Sequence, residues 1–342
     1  MKNKHFRLLG IALAALTIPF CASCDLKKDD GKMSIVATIF PEYDWVMNVL
    51  GEKKDDAKVT LLLDSGVDLH SYQPTPKDIV TVSKCDLFIY VGGESDEWVE
   101  DVLKTAANKD MKTINLMETL GDAVKEEEII EGMEGEDHDH DHEEGEDHDH
   151  EEGEEHDHEE EEEVEYDEHV WLSLKNAQVL VNEISKALGE IDADNAETYK
   201  ANAATYVNSL KDLDARYAQA VAAGTKDTLV FADRFPFRYL VDDYNLKYYA
   251  AFVGCSAETK ASFETIVFLA DKVDTLGLTT ILKIESSDGS IANTVKSSTT
   301  NKNQQILTMD SIQSATTKEY KEGRTYLSIM EQNLTVLKEA VK

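Results

Sequence analysis

Short aliphatic and β-branched runs alternate with helical periodicity along most of the chain. Residues 35–39, 58–63, 87–91 and 112–116 read as strands, and helical runs fall between them at 42–50, 77–83 and 96–107. That alternation is the pattern of a parallel sheet with helices on its faces. It stops at residues 126–163, which hold almost no hydrophobic side chains and repeat units such as Gly-Glu-Asp-His-Asp-His. Such a segment cannot bury enough apolar surface to offset its ordering entropy, so a disordered acidic insertion is expected there. Order resumes near Val164 with a helix over 176–188. A second helix, capped by Asp194 or Asn195, runs to about Val221 and would span roughly 40 Å. Strand-like runs then return at 228–232, 247–252, 279–284 and 305–309, and a last helix covers 320–341.

The fold class expected is therefore α/β. Two lobes, each a four-stranded parallel sheet, occupy 33–192 and 224–342, and a long rigid helix over 193–223 joins them. In open α/β sheets ligands bind beyond the carboxyl ends of the strands. Two such edges brought face to face would form a cleft between the lobes.

Charge and the amino terminus set the compartment. The chain has 342 residues and a formal net charge of -35, and 27 Asp or Glu with no Lys or Arg fall between Glu126 and Glu168. The acidity is local, and nothing offers the basic footprint that a nucleic-acid partner requires. Lys2, Lys4 and Arg7 precede a 13-residue apolar run over 8–20, too short to span a bilayer as a mature helix. Cys21-Ala22-Ser23-Cys24 follows and resembles a bacterial lipobox, with Cys21 where leucine is usual. Residues 1–24 are read as a signal peptide whose Cys24 is lipidated, and 25–32 as a polar tether to the membrane. The two remaining cysteines, Cys85 and Cys255, lie far apart in sequence; Cys85 reads as a small core residue, and a disulfide between them is not favoured.

Histidine placement carries the chemistry. Of ten histidines, seven lie in the acidic insertion, at His138, His140, His142, His148, His150, His156 and His158. In the folded body only His70 and His169 remain. An arbitrary histidine is more often structural than a ligand, but the insertion points to metal, for which neutral imidazole is a common ligand. Two histidines cannot close a site. Carboxylates after second-lobe strands could complete it: Asp233, and either Glu285 or Asp288, with Glu285 favoured. No His-Glu-x-x-His segment marks a zinc hydrolase, so the expected role is binding without catalysis.

Asp68-Leu69-His70-Ser71-Tyr72-Gln73-Pro74-Thr75-Pro76 and Glu168-His169-Val170-Trp171-Leu172-Ser173, with the histidine-rich insertion before the second, resemble the metal-specific receptors of bacterial ABC importers, the ZnuA-like and manganese-receptor family. The resemblance covers nearly all of the mature chain. It implies two lobes bridged by a rigid helix, metal between them, His70 and His169 as ligands, an ABC permease as partner and a monomeric receptor. The third family ligand, a histidine, aligns with Arg234, whose guanidinium cannot ligate a metal. Either neighbouring Asp233 substitutes, or Arg234 pairs with a carboxylate and fewer protein ligands remain. Two imidazoles with two carboxylates tolerate manganese better than three imidazoles do, but the Irving–Williams order and the insertion favour Zn2+ over Mn2+. The loop sites should be weaker than the cleft, since ordering a flexible loop costs about 1–2 kcal/mol per residue. A surface metal buffer or adhesin acting through that loop alone is the competing reading.

Overall fold

Strands β1 (Met33–Ala37), β2 (Ala57–Leu61), β3 (Leu87–Tyr90) and β4 (Lys112–Asn115) form one parallel sheet in the order β2-β1-β3-β4. Strands β5 (Thr228–Phe235), β6 (Lys247–Val253), β7 (Thr280–Lys283) and β8 (Gln305–Thr308) form a second, in the order β6-β5-β7-β8. This computed structural model describes residues 31–134, 165–256 and 260–342. The expected signal peptide, Cys24 and the seven insertion histidines lie outside the described residues. Each observed strand overlaps its predicted run, because each is a short apolar run bounded by turn-forming residues. Both sheets reverse their winding between two central strands, β1 with β3 and β5 with β7, where an open crevice forms at the carboxyl edge.

The first sheet is wrapped by α1 (Phe40–Leu50), α2 (Pro76–Val82), α3 (Trp98–Lys104) and α4 (Leu116–Leu120). Then come α5 (Leu174–Ile191) and the 28-residue α6 (Ala196–Ala223), about 42 Å long at ~1.5 Å per residue. The second sheet carries α7 (Arg238–Asp243), α8 (Phe263–Thr275) and α9 (Ser290–Ser298), and the chain closes with α10 (Thr317–Lys321) and α11 (Tyr326–Ala340). The single helix expected over 320–341 is two. Gly323, at φ +97°, takes a conformation open to glycine, and Thr325 opens α11 by accepting a hydrogen bond from the Ser328 amide.

Helix α6 is no free-standing strut. The Tyr206 hydroxyl donates to Asp44 Oδ2 on α1 at 2.8 Å, and the Tyr217 hydroxyl donates to the Met330 carbonyl on α11 at 2.6 Å. Trp45 on α1 packs edge-on to Tyr326 on α11, with ring centroids 5.3 Å apart. One continuous apolar core therefore runs from β1 through α5 and α6 to α11, and Met33–Lys342 is a single compact unit.

Part of the segment expected to be a disordered insertion is ordered. Residues 126–134, predicted to be disordered, pack on the fold. Glu127 N donates to the Glu165 carbonyl and Asp167 N to the Lys125 carbonyl, both at 2.9 Å, so the two roots of the insertion pair. Glu134 N donates to Ala251 O of β6, Met133 is buried, and Ile130 packs against the core. Composition missed this because three apolar side chains, Ile129, Ile130 and Met133, lie diluted among acids. Two of them suffice once backbone pairing satisfies their neighbours.

Glu42 marks how α1 starts. Its buried carboxylate accepts from Thr38 N at 2.7 Å and Ile39 N at 3.2 Å. Burial, with the charge of Asp96, pushes its pKa up from 4.5 to about 8. A carboxyl whose pKa is raised by folding stabilises fully below its unfolded pKa and loses that contribution as pH climbs to the folded value. Glu42→Gln keeps an oxygen for the cap and removes the titration. Urea midpoints of this variant should fall less between about pH 5 and pH 8 than those of the parent.

Candidate metal centre

The two body histidines arrive on separate loops. His70 sits in a single helical turn, Leu69–Ser71, which Asp68 caps by accepting from the His70 amide at 3.1 Å. His169 precedes a similar turn, Val170–Leu172, and its amide donates to Asp167 Oδ1 at 2.8 Å. Their Nε2 atoms stand 3.2 Å apart. Two nitrogens on one tetrahedral zinc would stand about 3.3 Å apart, from Zn–N distances of ~2.0–2.1 Å, so the pair fits a shared ion without rearrangement. The other ring nitrogens are anchored. His70 Nδ1 lies 2.9 Å from Ser95 Oγ, and His169 Nδ1 lies 3.0 Å from Asp167 Oδ1. With Nδ1 protonated and donating outward, each Nε2 presents its lone pair to the same point. This is the carboxylate-oriented imidazole arrangement common to metal ligands.

The electrostatics separate the two rings. Burial, with the charge of His169 and Arg234, lowers His70 to about 4, so it is neutral at ordinary pH. Burial also opposes charge on His169, but Asp167, Asp68 and Glu168 outweigh it, and the net direction is upward. Two facing lone pairs at 3.2 Å would repel. A cation held between the two Nε2 atoms would remove that repulsion. Glu168 completes this wall. Its Oε1 accepts from Ser95 N at 2.9 Å and its Oε2 lies 3.5 Å from His70 Nδ1; burial first raises its pKa to about 7.

The second lobe supplies the facing wall. Strand β5 runs on to Phe235, past its predicted end, with an irregularity in its pairing between Phe231 and Arg234. Irregularities of this kind re-aim side chains. The Arg234 guanidinium reaches across to Asp68 Oδ2 at 3.0 Å and also donates to the Ser256 carbonyl at 3.2 Å. Arg234 therefore pairs with a carboxylate, one of the two arrangements left open by its place at the third family position. Gln313, after β8, takes the amide orientation that satisfies its neighbours: its nitrogen donates to Asp68 at 2.9 Å, and its oxygen lies 3.1 Å from His169 Nε2. Gly254, just past β6, lies against His169. A Cβ there would stand 2.9 Å from the imidazole Cε1. This close approach brings in Cys255. One ligand atom each from His70, His169 and Cys255 lie within 4.8 Å of one another, the group of metal-binding type found among the described residues.

The expected carboxylates stand apart from that group. Asp233 is buried, with one oxygen accepting from Arg234 N at 2.9 Å and the other from Ile284 N at 3.4 Å. Glu285 accepts from the Ser311 amide and hydroxyl, both at 2.8 Å. Asp288 is exposed and accepts from Ser290 N, the first residue of α9, at 2.7 Å. Asp233, Asp288 and Arg234, together with Asp68 and Ser71 of the first lobe, line a cavity of about 580 Å³. A separate cavity of about 240 Å³ is lined by His70, Glu168, Cys255 and the insertion roots Glu127 and Glu165. Sequence reasoning had singled out neither Cys255 nor Gln313 as site residues. Both follow second-lobe strands, and the strand-end rule that selected Asp233 selects them too when it is applied to β6 and β8.

Two parallel α/β lobes with paired imidazoles at their junction define a two-lobed metal-receptor architecture. Residues 35–340 match the family model of the zinc-uptake complex component A, periplasmic, and the chain belongs to that family. It is 32% identical over 333 residues to the zinc-binding lipoprotein AdcA of Streptococcus pneumoniae, covering 97% of this chain and 60% of that one. It is 30% identical over 347 residues to the high-affinity zinc uptake system protein ZnuA of Bacillus subtilis, covering 100% of this chain and 99% of that protein. The Zn(II)-bound ZnuA-like domain of the pneumococcal AdcA superimposes with a TM-score of 0.67 at 28% identity, over 91% of this chain and 99% of the domain. The chain thus spans about 60% of the pneumococcal relative and nearly all of the bacillar one.

Gly254→Ala tests the packing at the imidazole pair. The added methyl must displace His169 or the turn, so stability should fall by about 1–3 kcal/mol in urea titration. Zinc affinity should fall with it, because the displaced ring loses register with His70.

Proposed function

We propose that this protein is an extracytoplasmic receptor, anchored to the membrane through lipidated Cys24, that captures zinc between its lobes and delivers it to the permease of an ABC importer. The observation that carries this reading is the His70–His169 pair, spaced for one ion, with each Nδ1 held by an outward partner. The relatives, a zinc-binding lipoprotein and a zinc uptake protein, agree with it. We read it as a binding protein and not an enzyme, acting as a monomer. His70 and His169 form the nucleus of the site. Asp233 and Glu285 are the oxygen donors nominated by sequence, and each must leave its present amide or hydroxyl partners to reach the ion. Manganese, which prefers harder oxygen ligands, suits this nucleus less well.

The insertion serves as a collector. Its roots, Glu127 and Glu165, line the same cavity as His70, so ions held weakly by His138, His140, His142, His148, His150, His156 and His158 would be released at the mouth of the cleft. A loop-only buffer would lack this placement.

Calorimetric titration of the mature chain should show one tight zinc event above several weak ones, and His70→Ala should weaken the tight event by on the order of 100-fold or more. Its persistence in that variant would remove the cleft from the account. Deleting residues 135–160 should slow uptake only when zinc is scarce; unchanged uptake there would end the collector role. Because one core spans both lobes, small-angle scattering should change little when zinc is added. A marked compaction would contradict a rigid receptor.

A further inference from the structure

The third ligand position has been rebuilt in this chain. Where the family resemblance places a histidine, Arg234 stands, and it cannot bind a metal. Its guanidinium ties the Ser256 carbonyl to Asp68, two residues from His70. Arg234 thus draws the turn after β6 toward the imidazole pair. Gly254 lets that turn lie against His169, and Cys255 follows it. The Cys255 amide lies 3.5 Å from Glu127 Oε1, which holds the turn from the other side.

We propose that Cys255 is the third protein ligand, a thiolate bound to the same ion as His70 and His169. This rests on the metal-receptor reading above and deepens it. The ligand atoms of the three residues lie within 4.8 Å of one another. Asp233 and Glu285 are engaged by backbone amides and Ser311, whereas the Cys255 sulfur is grouped with the two imidazoles. Both described cysteines are free thiols, but they differ in setting. Cys85 is buried in the first lobe with its sulfur 3.4 Å from Met111, whereas Cys255 lines the cavity that contains His70 and Glu168. As the S–Zn bond forms, the S–H bond breaks and its proton leaves through that cavity to solvent. No electron is transferred. Two imidazoles and a thiolate make a softer donor set than two imidazoles and two carboxylates. The site then selects zinc strongly over manganese, and a fourth position is left for water or a carboxylate.

Cobalt(II) is the probe, because a thiolate ligand gives it an intense sulfur-to-metal charge-transfer absorption in the near ultraviolet. One equivalent of cobalt added to the reduced full-length chain should produce this band. Cys255→Ser should abolish it while Cys85→Ser keeps it. Cys255→Ser should also weaken zinc in a chelator competition by at least the ~10–100-fold that loss of an outer-shell partner costs. As a check that needs no variant, zinc should protect Cys255 of the parent chain from alkylation, mapped by peptide mass. One tight ion that depends on His70, with no sulfur band and no protection of Cys255, would overturn the thiolate and leave the receptor reading standing. Absence of any tight event that depends on His70 would overturn both.

Discussion

Everything at this site depends on holding two imidazole nitrogens 3.2 Å apart when their residues are 99 positions apart in the chain. Each ring sits in a low-dielectric pocket, where an unpaired polar atom is costly. Each therefore needs an orienting partner, and each partner needs its own support. Asp167 orients His169, and its carbonyl accepts from the Tyr239 hydroxyl of α7 at 2.7 Å. Trp171, two residues on, donates to the Ser311 carbonyl beyond β8 at 2.9 Å, and Tyr326 of α11 donates to the Trp171 carbonyl. The His169 ring is thus braced from the second lobe even though it belongs to the first. The cleft is a set of loops stitched together across the lobes, more than a gap between two independent bodies.

That stitching limits how an ion can be admitted. A hinge needs a boundary with few contacts, but here α5, α6 and α11 share one apolar core with both sheets. The contacts across the cleft are local: the Arg234–Asp68 pair, the Gln313 carboxamide, and the turn from Gly254 to Ser256. Breaking the cross-lobe ion pair would open the site without disturbing the core. The pair is partly buried, which makes it less sensitive to salt than a surface bridge and costly to leave half-made.

The sheets were legible because each strand is a short run of apolar and β-branched residues between turns, a local property. Helix α6 was legible by its length and periodicity. The break at Gly323 was not read, since the flanking residues are good helix formers and only the left-handed conformation at the glycine reveals it. Of the site, His70 and His169 stood out as the two histidines outside the signal and the insertion. Their spacing did not, because it depends on a tertiary contact. The role of Arg234 was visible as a conflict between position and chemistry. Its resolution, an ion pair with Asp68, required the fold. Cys255 was weighed only as a disulfide partner for Cys85, a pairing that the structure does not form.

The exchange of a neutral histidine for a permanent cation also has an electrostatic consequence. A guanidinium near a divalent ion is repulsive: two unit charges ~6 Å apart interact by about 3 kcal/mol at an effective dielectric constant of ~20. A chain carrying this change must add negative charge close by or lose affinity. Asp68 faces Arg234 directly, and Asp167, Glu168 and Glu127 surround the imidazoles. A neutral third donor would leave the added positive charge to these carboxylates alone, and burial raises Glu168 and Glu127 to about 7, which weakens their share. A thiolate supplies a further negative charge on the ion itself, where it interacts most strongly. Arginine at the histidine position and cysteine at the end of β6 therefore make sense as one compensated change: the cation fastens the turn, and the anion on that turn restores the charge balance at the metal.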